Sequence, residues 1–235
     1  MPAAGMMPAT PIIHRAAKRA LLLDFDGTLA DTILGLRQVY ERFLDRLNVR
    51  QHAPSFEEAN GMVLSELIQG LCRQFATASA PEAEWQSYRN GVEAAILEAA
   101  PMPGTHALIA WAKQQGWLVG IASAGQTALI ADWLRRHELA MAIDEIVGAD
   151  LCPRGKPDPA LYQLLIGRLD VAPQDCIAIE DSPAGIASAL AAGIDVIHLR
   201  SGEPGKDGNE ALLNVGSLAD ALTFLQRRFP PIGHS

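Results

Sequence analysis

The sequence predicts an α/β fold, a doubly wound parallel sheet carrying an inserted α-helical cap domain. Three observations predict it. Short apolar runs recur between segments of helical periodicity. Those runs are continuously hydrophobic rather than alternating, as strands covered by helices on both faces require. One connection, roughly residues 33–100, is far longer than an ordinary crossover and reads as helix throughout.

The elements follow in order. Residues 1–19 (MPAAGMMPATPIIHRAAKR) hold three bases and no acid and read as a flexible extension, with Met6 or Met7 as an alternative initiator. No apolar stretch followed by a small-residue cleavage site marks a secretory leader. Ala20–Phe25 is the first predicted strand. Helical stripes then appear at Ile33, Leu36, Val39, Tyr40, Phe43, Leu44 and Leu47, next at Met62, Val63, Leu67, Ile68, Leu71 and Phe75, and finally at Trp85, Tyr88, Val92 and Ile96. These stripes are expected to form the core of a separate cap. The predicted division is therefore 1–19 extension, 20–32 with 101–235 catalytic core, and 33–100 cap. Pro101, Pro103 and Gly104 suit a defined hinge between the two.

Beyond the hinge, Thr105 is expected to cap a helix that Gly116 closes, and Trp117–Ala122 is the second strand. Glu145–Gly148, Cys176–Ile179 and Asp195–Leu199 are the remaining predicted strands. Asp158-Pro159 and Ser182-Pro183 each pair a capping residue with proline at the first helical position, and Gly193 ends the second of those helices.

Composition narrows the function. Of 235 residues, 49% are hydrophobic and 20% charged, which is ordinary for a globular chain and excludes a disordered one. No stretch approaches the ~20 apolar residues of a membrane span. The formal charge of −8 argues against a nucleic-acid partner and leaves room for a small anionic one where positive charge is concentrated. Cys72, Cys152 and Cys176 fit neither a disulfide framework nor a Cys-x-x-Cys metal pattern, and a reducing cytoplasm is the expected setting.

Four segments carry chemistry. In LLLDFDGTLADT (21–32), Asp24 and Asp26 leave the first strand at its carboxyl end with side chains directed the same way, and Gly27 permits a sharp departure. Two crowded carboxylates at the ligand-binding edge of a parallel sheet need an offsetting charge, and Mg²⁺ is the natural hard cation for phosphate chemistry. Helix capping, the bland role for such acids, is expected of Asp31 instead. In GWLVGIASAG (116–125), Ser123 ends a strand, where its hydroxyl and the main-chain N–H groups that follow, beginning with Ala124, can cradle a phosphoryl oxygen. In RGKPDP (154–159), prolines stiffen the loop that carries Lys156, while Asp158 is expected only to cap. In CIAIEDSPAGIASALAAG (176–193), Glu180 and Asp181 bring two more acids to the sheet edge, tolerable only facing a cation.

Taken in order, these segments resemble the haloacid dehalogenase superfamily in its magnesium-dependent phosphatase branch. The likeness spans the whole chain after the extension. The cap position and the Glu-Asp-Ser-Pro-Ala-Gly form of the last motif resemble the subfamily of β-phosphoglucomutase and small sugar-phosphate and phosphoglycolate phosphatases. The resemblance implies a nucleophile at Asp24 and a general acid and base at Asp26. It implies Mg²⁺ held by Asp24, Asp181 and the main-chain carbonyl of Asp26, with Glu180 in or near that shell. Ser123 and Lys156 would hold the phosphoryl group, and Thr28 would support the first loop. The implied substrate is a small phosphorylated metabolite.

Within that superfamily a dehalogenase does not need the acid at position 26, and a phosphonate-cleaving relative uses a cap lysine that residues 34–100 do not supply. A phospho-accepting receiver module shares the sheet, the metal and the aspartate but carries no such insertion. A β-phosphoglucomutase is the nearest rival. In that family a histidine follows the nucleophile by twelve residues, where this chain has Leu36, and GMVLSE (61–66) lacks the family's arginine for a distal phosphate. Phosphate release rather than phosphate return is the expected outcome. Arg73, Tyr88, Arg89 and the loop around Gly61–Ser65 are candidate cap contacts, although Trp85 and Tyr88 suit the cap core, and Arg42, Arg46 and Arg50 suit a solvated face.

Overall fold

The computed structural model describes residues 18–59, 64–74, 82–200 and 211–230. Six parallel strands form one sheet: β1 (Ala20–Leu23), β2 (Leu118–Ala122), β3 (Glu145–Val147), β4 (Cys176–Glu180), β5 (Asp195–Leu199) and β6 (Leu213–Val215), in the order β3-β2-β1-β4-β5-β6. The chain winds from β1 out to β3, then returns to the other side of β1. That reversal opens a crevice at the carboxyl end of β1, the usual ligand position in such sheets.

β1 is apolar on every residue, and β4 as far as Ile179, because both faces are covered. Leu21 and Leu23 of β1 point into one cluster, with Leu108, Ile109, Trp133, Ala221 and Leu225. Ala20 and Leu22 point into the other, with Leu161, Tyr162, Leu165 and Ile186. The first layer of helices is α5 (Thr105–Gln114), α6 (Thr127–Arg136) and α9 (Leu218–Arg228), and the second is α7 (Ala160–Leu169) and α8 (Pro183–Ala191). The expected strands are all present. β6 was not expected: it is a three-residue edge strand with exposed Asn214 at its centre, too short for any pattern to show.

Residues 33–98 contain α1 (Ile33–Arg46), α2 (Phe56–Ala59), α3 (Leu64–Gln74) and α4 (Glu82–Glu98), and no strand among the described residues. Tyr40, Phe43, Leu44, Leu47, Ile68 and Leu71 form their own cluster, against which Trp85 and Tyr88 pack. The stripes do not serve this cluster alone, however. Leu36, Val92 and Ile96 pack into the main core, so the lower turns of α1 and α4 belong to the sheet's packing. Met62, Val63 and Phe75 lie outside the described residues, as do residues 1–17 of the extension.

The two connections to the helical insertion are bonded to each other. Asp31 N–H donates to Ala100 O at 2.9 Å, Met102 N–H donates to Leu29 O at 2.8 Å, and Ala30 bridges Pro101 antiparallel. Trp133 Nε1 adds a bond to Ala99 O at 2.8 Å.

Three expected caps are corrected. Gly104, with φ +99°, precedes α5, and Thr105 is its first residue, its hydroxyl donating to Leu29 O at 3.1 Å. Thr32, not the exposed Asp31, stands at the start of α1, and its hydroxyl is committed elsewhere. Ser182 caps α8 through Gly185 N–H as expected. Asp158 does not cap α7, because the helix starts at Ala160 with Pro159 as its N-cap, and Asp158 Oδ1 accepts from Ala160 N–H in the turn before it.

Candidate active site

The carboxyl ends of β1, β2 and β4 bring Asp24, Ser123 and Glu180 to one place, and the loop after β3 sends Lys156 across to meet them. The Lys156 side chain is 8% exposed. Its ammonium donates to Asp24 Oδ1 at 2.6 Å, Glu180 Oε1 at 2.5 Å and Ala122 O at 3.0 Å. Burial alone would pull the lysine pKa down, but Asp24 and Glu180 outweigh it and hold it above the ordinary lysine value.

Asp24, Glu180 and Asp181 each offer a carboxylate oxygen within 4.8 Å of the others. An all-oxygen set of this kind suits a hard divalent cation. Two further observations agree. Glu180 Oε2 is fully buried with no hydrogen-bond partner. Burial, followed by the charge of Asp24, pushes the Asp181 carboxyl well above its usual range, and burial does the same to Glu180. Such a cluster is stabilised by a cation that restores the charged forms.

Two glycines make the approach possible. Gly27 has φ +80°, and a Cβ there would fall 2.3 Å from Asp181 Oδ2. At Gly185 a Cβ would fall 1.9 Å from Glu180 Oε2.

Asp26 stands slightly apart. Its Oδ1 accepts from the Thr32 hydroxyl at 2.8 Å, and its pKa is pushed up to about 6, by burial first and the Asp24 charge second. A carboxyl so tuned can give and take a proton near neutral pH. Ser123 is fully buried, its Oγ accepting from Gly125 N–H at 2.9 Å, with Ala124 exposed beside it. Thr28 is fully buried, and its Oγ1 has no partner.

A family model described as haloacid dehalogenase-like hydrolase matches residues 21–199. The chain belongs to that family. Among curated relatives of this hydrolase, hexitol phosphatase A of Escherichia coli is 29% identical over 206 residues, covering 85% of this chain and 91% of that one. β-Phosphoglucomutase of Bacillus subtilis is 29% identical over 197 residues, covering 79% and 85%. Among solved structures, a mutant of CbbY from Rhodobacter sphaeroides in complex with xylulose-(1,5)-bisphosphate superposes with a TM-score of 0.73 at 26% identity, covering 86% of this chain and 96% of that chain. Membership of the family generally implies a divalent metal, in keeping with the acidic cluster.

The hydrolase also places residues in the site that the motifs do not mark. Thr32 holds Asp26, and Tyr162 of α7, fully buried, donates to Glu180 Oε1 at 2.6 Å. Thr32 sits where a capping residue is common, and Tyr162 sits in an apolar helical stripe, so each has a plainer reading from sequence. In the cap, Arg89 is spent on Glu82 at 2.5 Å and Gln86 at 2.8 Å on the exposed face of α4. Gly61–Val63 and the side chains of Leu64–Glu66 lie outside the described residues. No described helix is long and apolar enough to cross a membrane.

Proposed function

We propose that this hydrolase is a magnesium-dependent phosphatase of a small phosphomonoester, a sugar phosphate or phosphoglycolate-like compound, working through an aspartyl-phosphate at Asp24. The observation that carries this reading is the buried Lys156 ammonium 2.6 Å from Asp24, with Glu180 and Asp181 gathered alongside. Lys156, with a cation held by the acid cluster, would offset the repulsion between a phosphoryl group and four carboxylates. Asp24, Asp181 and the main-chain carbonyl of Asp26 would hold Mg²⁺, with Glu180 at the margin. When bound, the cation supplies positive charge beside the transferring group.

The chain's own residues then divide the work. Asp24 attacks phosphorus, forming an Oδ–P bond as the ester P–O bond breaks, and Asp26 gives its proton to the departing alkoxide. In the second half, Asp26 takes a proton from water as the water oxygen bonds phosphorus and the Oδ–P bond to Asp24 breaks. Lys156 and the Ser123 hydroxyl hold the non-bridging oxygens, with Ala124 N–H beside them and Thr28 supporting the loop. Thr32 keeps Asp26 aimed.

A mutase must hold a bisphosphate intermediate by its far end. Leu36 packs into the main core and Arg89 is tied to Glu82, which favours hydrolysis over phosphate return. The test is a screen of sugar phosphates and phosphoglycolate with Mg²⁺. Net phosphate release without a bisphosphate activator supports the reading. Conversion of β-glucose 1-phosphate to glucose 6-phosphate faster than phosphate release would replace it with the mutase.

A further inference from the structure

Lys156 has three N–H donors, and all three are engaged, by Asp24 Oδ1, Glu180 Oε1 and Ala122 O. If Asp24 bonds phosphorus, the donor on Asp24 is the one free to turn to a phosphoryl oxygen. The other two partners are the pivot on which the ammonium is aimed. Ala122 O is fixed main chain at the end of β2. Glu180 is a side chain, and its grip depends on what holds the carboxylate. Among protein atoms its Oε2 has no hydrogen-bond partner, so the protein itself holds the carboxylate through Oε1, which accepts from Lys156 and from the Tyr162 hydroxyl at 2.6 Å.

We propose that Tyr162 is a positioning residue, its hydroxyl fixing the Glu180 carboxylate so that Lys156 is aimed at the phosphoryl group. The inference rests on the phosphatase reading above. Several features point to this use rather than to core packing alone. The ring lies among Leu161, Leu165 and Ile186, where a phenylalanine would pack equally well, so the hydroxyl needs its own reason. The phenol donates to a carboxylate, a charge-assisted bond stronger than a neutral one. The Lys156 ammonium is 5.5 Å from the ring centroid, so one side chain touches both members of the pair it organises.

Tyr162→Phe keeps the ring and deletes the donor. Inorganic phosphate binding to the Mg²⁺-saturated protein, read by calorimetry, is expected to weaken about tenfold, as loss of one hydrogen bond to a charged group would predict. Mn²⁺ binding without phosphate, followed by its paramagnetic resonance, should stay within about twofold, because Asp24 and Asp181 are untouched. A phosphate affinity unchanged in Tyr162→Phe would overturn the inference, as would phosphate and Mn²⁺ affinities falling by the same factor, the mark of a loosened core. A wild-type protein that bound no inorganic phosphate would instead defeat the phosphatase reading, and this inference with it. Tyr162→Leu, which removes donor and ring together, provides the contrast: its unfolding midpoint should fall further than that of Tyr162→Phe, while its phosphate affinity falls no further.

Discussion

The sheet edge and the helical insertion treat their charges in opposite ways. At the edge, the Lys156 and Glu180 side chains are 8% and 0% exposed, and each makes bonds of fixed geometry. On the insertion, Arg50 bonds Glu41 at 2.7 Å and Asp45 at 2.8 Å, but all three side chains are between 38% and 51% exposed. Water screens the second set and leaves it weak. Exclusion of water makes the first set costly to assemble and potent once assembled. The sheet edge buries Asp24 and Glu180 and half-buries Asp26, Asp181 and Lys156 beside them, a cost the fold carries at one place. The insertion carries its charges as a solvated coat.

The sharpest way to break this comparison is at Asp24. Asp24→Asn should fold normally and lose at least about three orders of magnitude in phosphate release from p-nitrophenyl phosphate, since an amide is a poor nucleophile. Chelation of Mg²⁺ should abolish turnover in the wild type. Full activity in either case would separate the buried cluster from the chemistry.

Packing should show the next largest contrast. Trp133 is fully buried, meets Phe25 edge-on at 5.0 Å, and bonds Ala99 O between the sheet and the insertion. Trp133→Ala should cost ~3–5 kcal/mol in urea unfolding. Trp85 is half-buried against Phe43 at 4.7 Å, and Trp85→Ala should cost roughly half as much. Equal costs would mean that the insertion is as tightly built as the core.

A smaller effect lies in pH. Burial raises Asp26 to about 6 from an ordinary 3.8, so the folded chain binds a proton that the unfolded chain has already released between those values. Metal-free stability should therefore fall on this account as pH rises through 4–6, and Asp26→Asn should flatten that fall. Unfolding midpoints measured across that range check the sign. The smallest effect should come from Arg50→Ala, which should leave the midpoint unchanged within error at moderate salt. A clear loss would show that the exposed pairs matter more than their screening allows.

The legible part of the molecule is the part under local constraint. A strand covered on both faces carries a nearly continuous apolar run, so β1, β2, β4 and β5 show themselves in sequence. Acids at strand ends before glycine or a capped helix are equally conspicuous, and Asp24, Asp26, Glu180 and Asp181 are read from that pattern. Tyr162 is hidden because its apolar ring satisfies the helical stripe, leaving the hydroxyl without a local signature. Thr32 is hidden by a commoner role, that of a cap. Leu36, Val92 and Ile96 show the same limit at larger scale: periodicity identifies the buried face of a helix and says nothing about which core receives it.

The most direct test of the account is to catch phosphate on Asp24. Enzyme turning over a sugar phosphate with Mg²⁺ would be quenched in acid and digested, and the segment containing residues 20–32 weighed by mass spectrometry. The account predicts a single added phosphoryl group on Asp24, lost on treatment with hydroxylamine as an acyl phosphate must be, and absent from Asp24→Asn. Continuous phosphate release with that segment never modified, and with Asp24→Asn still active, would contradict it.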